Sequence, residues 1–441
     1  MSRTRNRESL RTAADIVADV EARIGNAELV PGDRLPPVRS LAAQLDVAAN
    51  TVAAAYRMLG DRGLAVGEGR RGTFVAARPP VGPGPVASVP ADVIDLVSGN
   101  PDPALLPDLR PALDAVPANH VLYGRAAVDA ELATLLAAEL ESDGVDPAHL
   151  CIVGGALDGI ERTLTAHCRP GDRIGVEDPG YASIAELATA MSLRLEPVAV
   201  DRYGPEPESM SAAVERGITA MIITPRAGNP SGSALDPDRA SQLQAILADA
   251  PAVLVVEDDH AGRVAGQRYL SAIPPGAERW AMVRSMAKSL GPDLRLAALV
   301  GDEATMARVE GRQALGVGWV SHLLQSVVAH LLADPDLDRT LAHAAAVYAE
   351  RRSAVVGVLR SAGIEAHGRS GLNVWIPVSD EAAVVSEMLQ RGFAVQSGAR
   401  FRLASAPGVR VSIGATGTAN LRLAAESLAA MLEPGRAARS V

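Results

Sequence analysis

The stretch SMAKSLGPDLR, residues 285–295, holds the one lysine of a 441-residue chain in which the other 41 of 42 basic side chains are arginine. Arginine stays protonated at any biological pH, whereas a lysine amine can lose its proton and condense with a carbonyl. Lys288 is therefore the first candidate for a catalytic or cofactor-linking residue. The apolar run WAMVRSM (280–286) leads into it and LAALVGD (296–302) follows. Further upstream come DRIGVEDPGY (172–181), AMIITP (220–225) and AVLVVEDDH (252–260), separated by helical stretches such as ASQLQAILADA (240–250). Apolar runs that do not alternate suit strands buried on both faces, which predicts an α/β body with a mostly parallel sheet. Ligands of such folds sit at the carboxyl ends of the strands. Tyr181, Asn229, Asp258 and Lys288 each close one of these runs.

The rest of the chain sets the frame. Apolar residues make up 48% of it and charged residues 21%, a globular composition. The two cysteines, Cys151 and Cys168, lack metal-ligand spacing, so no metal is expected and free thiols in a reducing setting are. The basic first residues lack an apolar signal core, and no apolar run is long enough to span a bilayer. The expectation is a soluble, cytoplasmic protein. Charge is uneven: residues 1–78 carry 12 arginines against nine acidic residues, while the remainder is net acidic by 13. A basic head on an acidic body suggests that only the head meets a polyanion. ARPPVGPGPVASVPADV (77–93) reads as a semi-rigid linker. The expected division is therefore 1–76, 77–93 and 94–435.

Within the head, Leu10, Ile16, Val17, Val20 and Ile24 fall at helical spacing. PGDRLPPVR (31–39) is a turn-rich connection, and SLAAQLDVAANTVAAAYRMLGDRG (40–63) reads as helix, short turn, helix. LAVGEGRRGTFVA (64–76) supplies two short strands around a Gly and Arg rich tip. That order is a winged helix-turn-helix, whose second helix enters the major groove while the wing touches the backbone or minor groove.

The body's candidates compose a pyridoxal 5'-phosphate site. Lys288 would condense with the cofactor aldehyde, and Ser285 and Arg295 would reach its phosphate, the arginine as a bidentate permanent cation. Asp258 would accept a hydrogen bond from the protonated pyridine nitrogen and keep the ring an electron sink. GGALDGIERTL (154–164) is a tight turn running into a helix, so the amides of Gly155, Ala156 and Leu157 can hold phosphate at the positive end of the helix dipole.

Residues 11–76 resemble the DNA-binding head of GntR-type bacterial regulators. That resemblance implies DNA contacts from Arg39, Asn50, Thr51, Arg71 and Gly72. Ala49, Ala53 and Ala54 stand where family members often carry arginines, which points to narrower base readout. Residues 94–432 resemble fold type I aminotransferases, on SMAKSLGPDLR, TPRAGNPSG (224–232), EDPGY and EDDH. The resemblance implies that Asn229 meets the cofactor 3-hydroxyl, that Tyr181 stacks on the ring and that Arg410, in GVRVSIG (408–414), grips an α-carboxylate. It also implies that Tyr123 reaches the phosphate of a neighbouring subunit in a domain-swapped homodimer. His260 stands where most fused relatives have a tyrosine on the ring hydroxyl, so the tuning of the cofactor differs there. Gly154 and Leu157 depart from a hydroxyl residue and a glutamine that are common in the phosphate turn.

Head and body together resemble the MocR subfamily of GntR-type regulators. The implied fold is multidomain α/β: a winged helix-turn-helix, then an aminotransferase-like body with a large, parallel-rich sheet domain and a small C-terminal α+β domain. The implied function is a transcription regulator that binds promoter DNA and senses an amine, an amino acid or the cofactor itself. An active aminotransferase working on an amino acid and a 2-oxo acid is the alternative.

Overall fold

The computed structural model describes residues 12–432 except 26–27, 62–63, 68, 77–88, 91 and 117–119. Leu10, most of the expected linker and residues 433–435 lie outside the described residues. The chain divides into two compact units, one made of the N-terminal segment together with Arg169–Arg173 and Glu186–Leu195, the other of the remainder; the head and the body are each taken by themselves below.

The head begins with helix α1 (Ala13–Gly25), then α2 (Val38–Leu45) and α3 (Ala49–Asp61), and ends in strands β1 (Ala65–Gly67) and β2 (Thr73–Val75). Thr12 and Asp15 cap α1 reciprocally: the Asp15 amide donates to Thr12 Oγ1 at 3.2 Å and the Thr12 amide to Asp15 Oδ2 at 3.0 Å. The expected apolar stripe is real, since Ile16, Val17 and Val20 pack on Val52, Ala55 and Leu59 of α3. β1 and β2 pair antiparallel as the wing.

In the body the elements run β3 (Ile94–Leu96), α4 (Arg110–Ala115), α5 (Ala130–Ser142), β4 (Leu150–Val153), α6 (Ala156–His167), β5 (Arg173–Asp178), α7 (Ala182–Ala190), β6 (Arg194–Asp201), β7 (Gly204–Pro205), α8 (Pro207–Glu215) and β8 (Ala220–Ile223). α9 (Pro237–Ala248), β9 (Leu254–Asp259), β10 (Trp280–Ser285), β11 (Ala297–Gly301), α10 (Glu303–Leu315), α11 (His322–Ala333) and the long α12 (Leu337–Ser361) follow. The chain then continues through β12 (Asn373–Pro377), α13 (Glu381–Gln390), β13 (Phe393–Ser397), β14 (Gly408–Ser412) and α14 (Thr418–Leu432).

An eight-stranded sheet has the order β4-β11-β10-β9-β8-β5-β6-β7. All the apolar runs read from the sequence are its strands, and residues Leu254–Asp259 are buried without alternation, as a strand covered on both faces must be. The expectation of a mostly parallel sheet holds through its centre, with one strand reversed there. β5, β8, β9 and β10 pair parallel, but β11 runs antiparallel to both β10 and β4. The reason is local. β10 and β11 are joined by residues 286–296 alone, and with Met286 N donating to Leu296 O at 3.1 Å the chain folds straight back. A parallel return needs a crossover of a dozen residues or more.

The second sheet, β12-β14-β13-β3, takes its edge strand from the start of the body. β3 pairs parallel with β13, so Ile94 lies beside Phe393. This long-range pairing carries the residues just after β3 into the functional site. No helix among the described residues is long and apolar enough to cross a membrane.

Candidate functional site

Lys288 follows β10 in a half-buried position, and its Nζ donates to the carbonyl of Gly99 at 2.8 Å. Burial, then the nearby Arg410 charge, pulls its pKa down to about 8. About a tenth of the amine is therefore unprotonated at pH 7, far more than for an ordinary lysine, which favours a nucleophilic role. Gly99 has φ +62°, a conformation that favours glycine.

Arg410, on β14, is buried. It donates to Asn229 Oδ1 at 3.0 Å and to the carbonyl of Val97, and its guanidinium lies 4.7 Å over the Phe401 ring. Its Nε is buried without a partner, and burial followed by the Arg400 charge lowers its pKa to about 10. The cation is held by a carbonyl and an amide with no ion-paired carboxylate among the described residues, an arrangement able to accept an anion.

β9 ends in two adjacent carboxylates with opposite environments. Asp259 is fully buried; burial alone would raise its pKa, yet two arginines hold it at about 2. Arg226 grips it through Nε and a terminal nitrogen, each at 2.8 Å, and Arg284 adds a third bond at 2.8 Å. Asp258, also buried, has an oxygen, Oδ1, with no partner among the described residues. Burial, then the like charges of Asp259 and Glu177, pushes its carboxyl up to about 8. It is the carboxylate in want of a donor. His260 Nδ1 stands 3.7 Å from Asp258 Oδ2, too far for a hydrogen bond. Burial and then the Lys288 charge push the imidazole down to about 4, so it is neutral near pH 7.

At the other end, Gly155 caps α6 with φ +112°, and a Cβ there would lie 2.8 Å from an Arg295 terminal nitrogen. That nitrogen donates to Gly154 O at 3.0 Å while the arginine side chain stays exposed. The amides of Ala156 and Leu157 lie in the first turn of α6, where no helical carbonyl is available to them. Ser285 is buried at the end of β10, its Oγ accepting from Ala287 N at 3.2 Å. Tyr181 is half-buried between β5 and α7 and lines a small cavity with Glu177, Thr224, Arg400 and Phe401.

Tyr123 takes no part in these contacts. It is 92% exposed, its ring edge-on to Trp319 at 5.5 Å. In the head, Arg39 and Asn50 are exposed on α2 and α3, Thr51 is half-buried, and Arg71 and Gly72 sit at the wing tip, Gly72 with φ +111°. Ala49 is exposed, while Ala53 and Ala54 are half-buried.

Sequence reasoning missed the carbonyls of Val97 and Gly99, the Phe401 platform, and Arg226 and Arg284 as the clamp on Asp259. The last pair left a signal. Arg284 interrupts an otherwise apolar strand, and a buried guanidinium demands a buried carboxylate. The others depend on contacts that no local pattern announces.

The aminotransferase class I and II family profile matches residues 91–428, and the profile of bacterial regulatory proteins of the gntR family matches residues 12–75. Pyridoxal 5'-phosphate is the cofactor of the former. The chain is 38% identical to the vitamin B6 salvage pathway transcriptional repressor PtsJ of Salmonella typhimurium, over 91% of this chain and 94% of that protein. It is 27% identical to the pyridoxine biosynthesis transcriptional regulator PdxR of Corynebacterium glutamicum, over 78% of each. Among solved structures, the body is similar in fold to a kynurenine aminotransferase of Pyrococcus horikoshii (TM-score 0.71, 19% identity, 77% of this chain and 90% of that one). It is also similar to an alpha-aminoadipate aminotransferase of Thermus thermophilus (TM-score 0.69, 20% identity, 78% and 92%). With a gntR head that binds DNA joined to a pyridoxal phosphate body of the aminotransferase class I and II family, the chain belongs to the MocR subfamily of GntR-type transcription regulators.

Proposed function

We propose that the body holds pyridoxal 5'-phosphate at Lys288, and that the site's occupancy, by the cofactor or by an amine or amino acid, sets how the head binds the promoter of vitamin B6 salvage genes. The carrying observation is the coincidence of a half-buried amine with a pKa of about 8 and an Asp258 oxygen that has no donor. The printed name of the Salmonella relative supports the choice of gene set. We divide the chain into a head at 1–76, a linker at 77–93 and a body at 94–435, and we expect it to work in the cytoplasm, where promoter DNA is.

The residues present fit the cofactor. When bound, pyridoxal phosphate supplies an aldehyde open to primary amines and a ring that withdraws electrons. Lys288 presents its amine; Asp258 takes the ring N–H and regains its charge. Asn229, whose Oδ1 is held by Arg410, keeps its amide hydrogens for the ring hydroxyl. His260 offers a neutral nitrogen on that same group. Ser285, Arg295 and the amides of Gly155, Ala156 and Leu157 hold phosphate, Tyr181 covers the ring, and Arg410 takes an effector carboxylate. Tyr123, exposed beside the exposed Leu122, serves the shared site of a homodimer.

A gel shift on DNA upstream of the chain's own gene tests this. Pyridoxal phosphate should alter the binding of the unchanged protein and leave Lys288→Ala unaffected, though still bound to DNA. An equal response of Lys288→Ala would sink the proposal. The complete set of Lys288, Asp258 and Arg410 also supports transamination. Repeated turnover between an amino acid and a 2-oxo acid at rates ordinary for enzymes would favour that reading instead.

A further inference from the structure

The wing of the head is wider than its hairpin. Residues 32–35 run alongside β2: Gly32 N donates to Val75 O at 2.9 Å, Val75 N to Asp33 O at 2.8 Å, and Leu35 N to Thr73 O at 2.9 Å. Arg34 thus pairs antiparallel with Phe74 as a third strand position. Side chains of paired residues share a face, and successive ones alternate. Leu35 and Val75 turn into the core, at 2% exposed each, and Arg34 and Phe74 take the other side. Arg71 joins them there, its guanidinium 5.9 Å over the Phe74 ring.

Gly72 links the two arginines. A Cβ on residue 72 would stand 2.8 Å from Arg34 Nε and 3.1 Å from a terminal nitrogen, so the Arg34 guanidinium lies against the bare backbone of the wing turn. Both arginines are exposed, and Arg34 has no carboxylate partner among the described residues. Two guanidinium groups on one face of a DNA-binding head, one on the turn and one beneath it, match successive phosphates of a strand rather than a base edge.

We propose that Arg34 is a further DNA-phosphate contact of the head, working with Arg71 across Gly72. It goes beyond the expected contact set, which has Gly72 and Arg71 in the wing and nothing from the 31–36 segment. It also supplies a packing reason for Gly72 besides its positive φ.

The test uses the full chain, a duplex from upstream of its own gene and an unrelated duplex of equal length, titrated at several salt concentrations between about 0.05 and 0.2 M. Arg34→Ala should weaken both duplexes by the same factor, roughly tenfold near 0.1 M salt for each engaged head, and flatten the log Kd against log salt slope by about 0.9 per head. Arg34→Lys should restore the slope, because a point charge suffices for a phosphate. Weaker binding with an unchanged slope would mark a wing-packing role and overturn the proposal, as would unchanged affinity or a loss confined to the chain's own duplex. If the unaltered chain binds neither duplex, the proposal and the DNA-binding role of the head on which it rests fall together.

Discussion

Asp258 and Asp259 are covalent neighbours with opposite charge states. The pair of arginines around Asp259 fixes it as a carboxylate, while burial and then the like charges of Asp259 and Glu177 leave Asp258 largely protonated at neutral pH. An acid whose pKa is higher folded than unfolded binds its proton better in the folded state, so stability falls as pH climbs from the unfolded value to the folded one. Glu177 and Glu257, each pushed by burial to about 7, act in the same direction below that point. The cofactor-free protein should therefore lose melting temperature between pH 7 and 8 chiefly through Asp258. Asp258→Asn should flatten that part of a thermal-shift profile and also weaken cofactor retention. An equally steep profile in the variant would mean that Asp258 is ionised without a ligand. Breaking the neighbouring clamp is a different experiment: Arg226→Ala strands part of the Asp259 charge and should cost about 3–5 kcal/mol in denaturant melts of the body.

Elements follow from local chemistry more fully than their pairing does. Helix starts are written as caps. Asp236 precedes Pro237 and its side chain accepts from Arg239 N at 2.8 Å, so Asp236→Ala should destabilise the body by about 1 kcal/mol and leave DNA affinity unchanged. α5 shows its buried face as Leu132, Leu136 and Leu140 at a spacing of four. Leu136→Ala should cost about 2–5 kcal/mol by denaturant unfolding. The apolar runs were legible as strands because each is buried on both faces. Their shared direction was legible as well, but the one reversal was not. β11 reverses because the lysine segment is too short for a crossover, and β3 joins a sheet whose other strands lie some 280 residues later or more. Local periodicity carries no information about either event.

At the scale of the whole molecule, two compositions in one chain announced two units, and the family profiles fall on the same two stretches. Tyr123 belongs to this scale because its expected role needs a second copy. If sites are shared, mixing Lys288→Ala with Tyr123→Ala should create dimers with one intact site and raise the visible absorbance of bound cofactor above the average of the two variants. A simple average would show that each chain builds its own site. By itself the sequence determined most strands and helices, the winged head, and which position holds the one lysine, because composition, period and turn chemistry act between near neighbours. Only the tertiary structure decided which carboxylate lacks a partner, which carbonyls hold Lys288 and Arg410, and how Arg34 reaches the wing. Lys288 and Gly99 are 189 positions apart, and burial, pairing and proton affinity are properties of such contacts rather than of either residue alone.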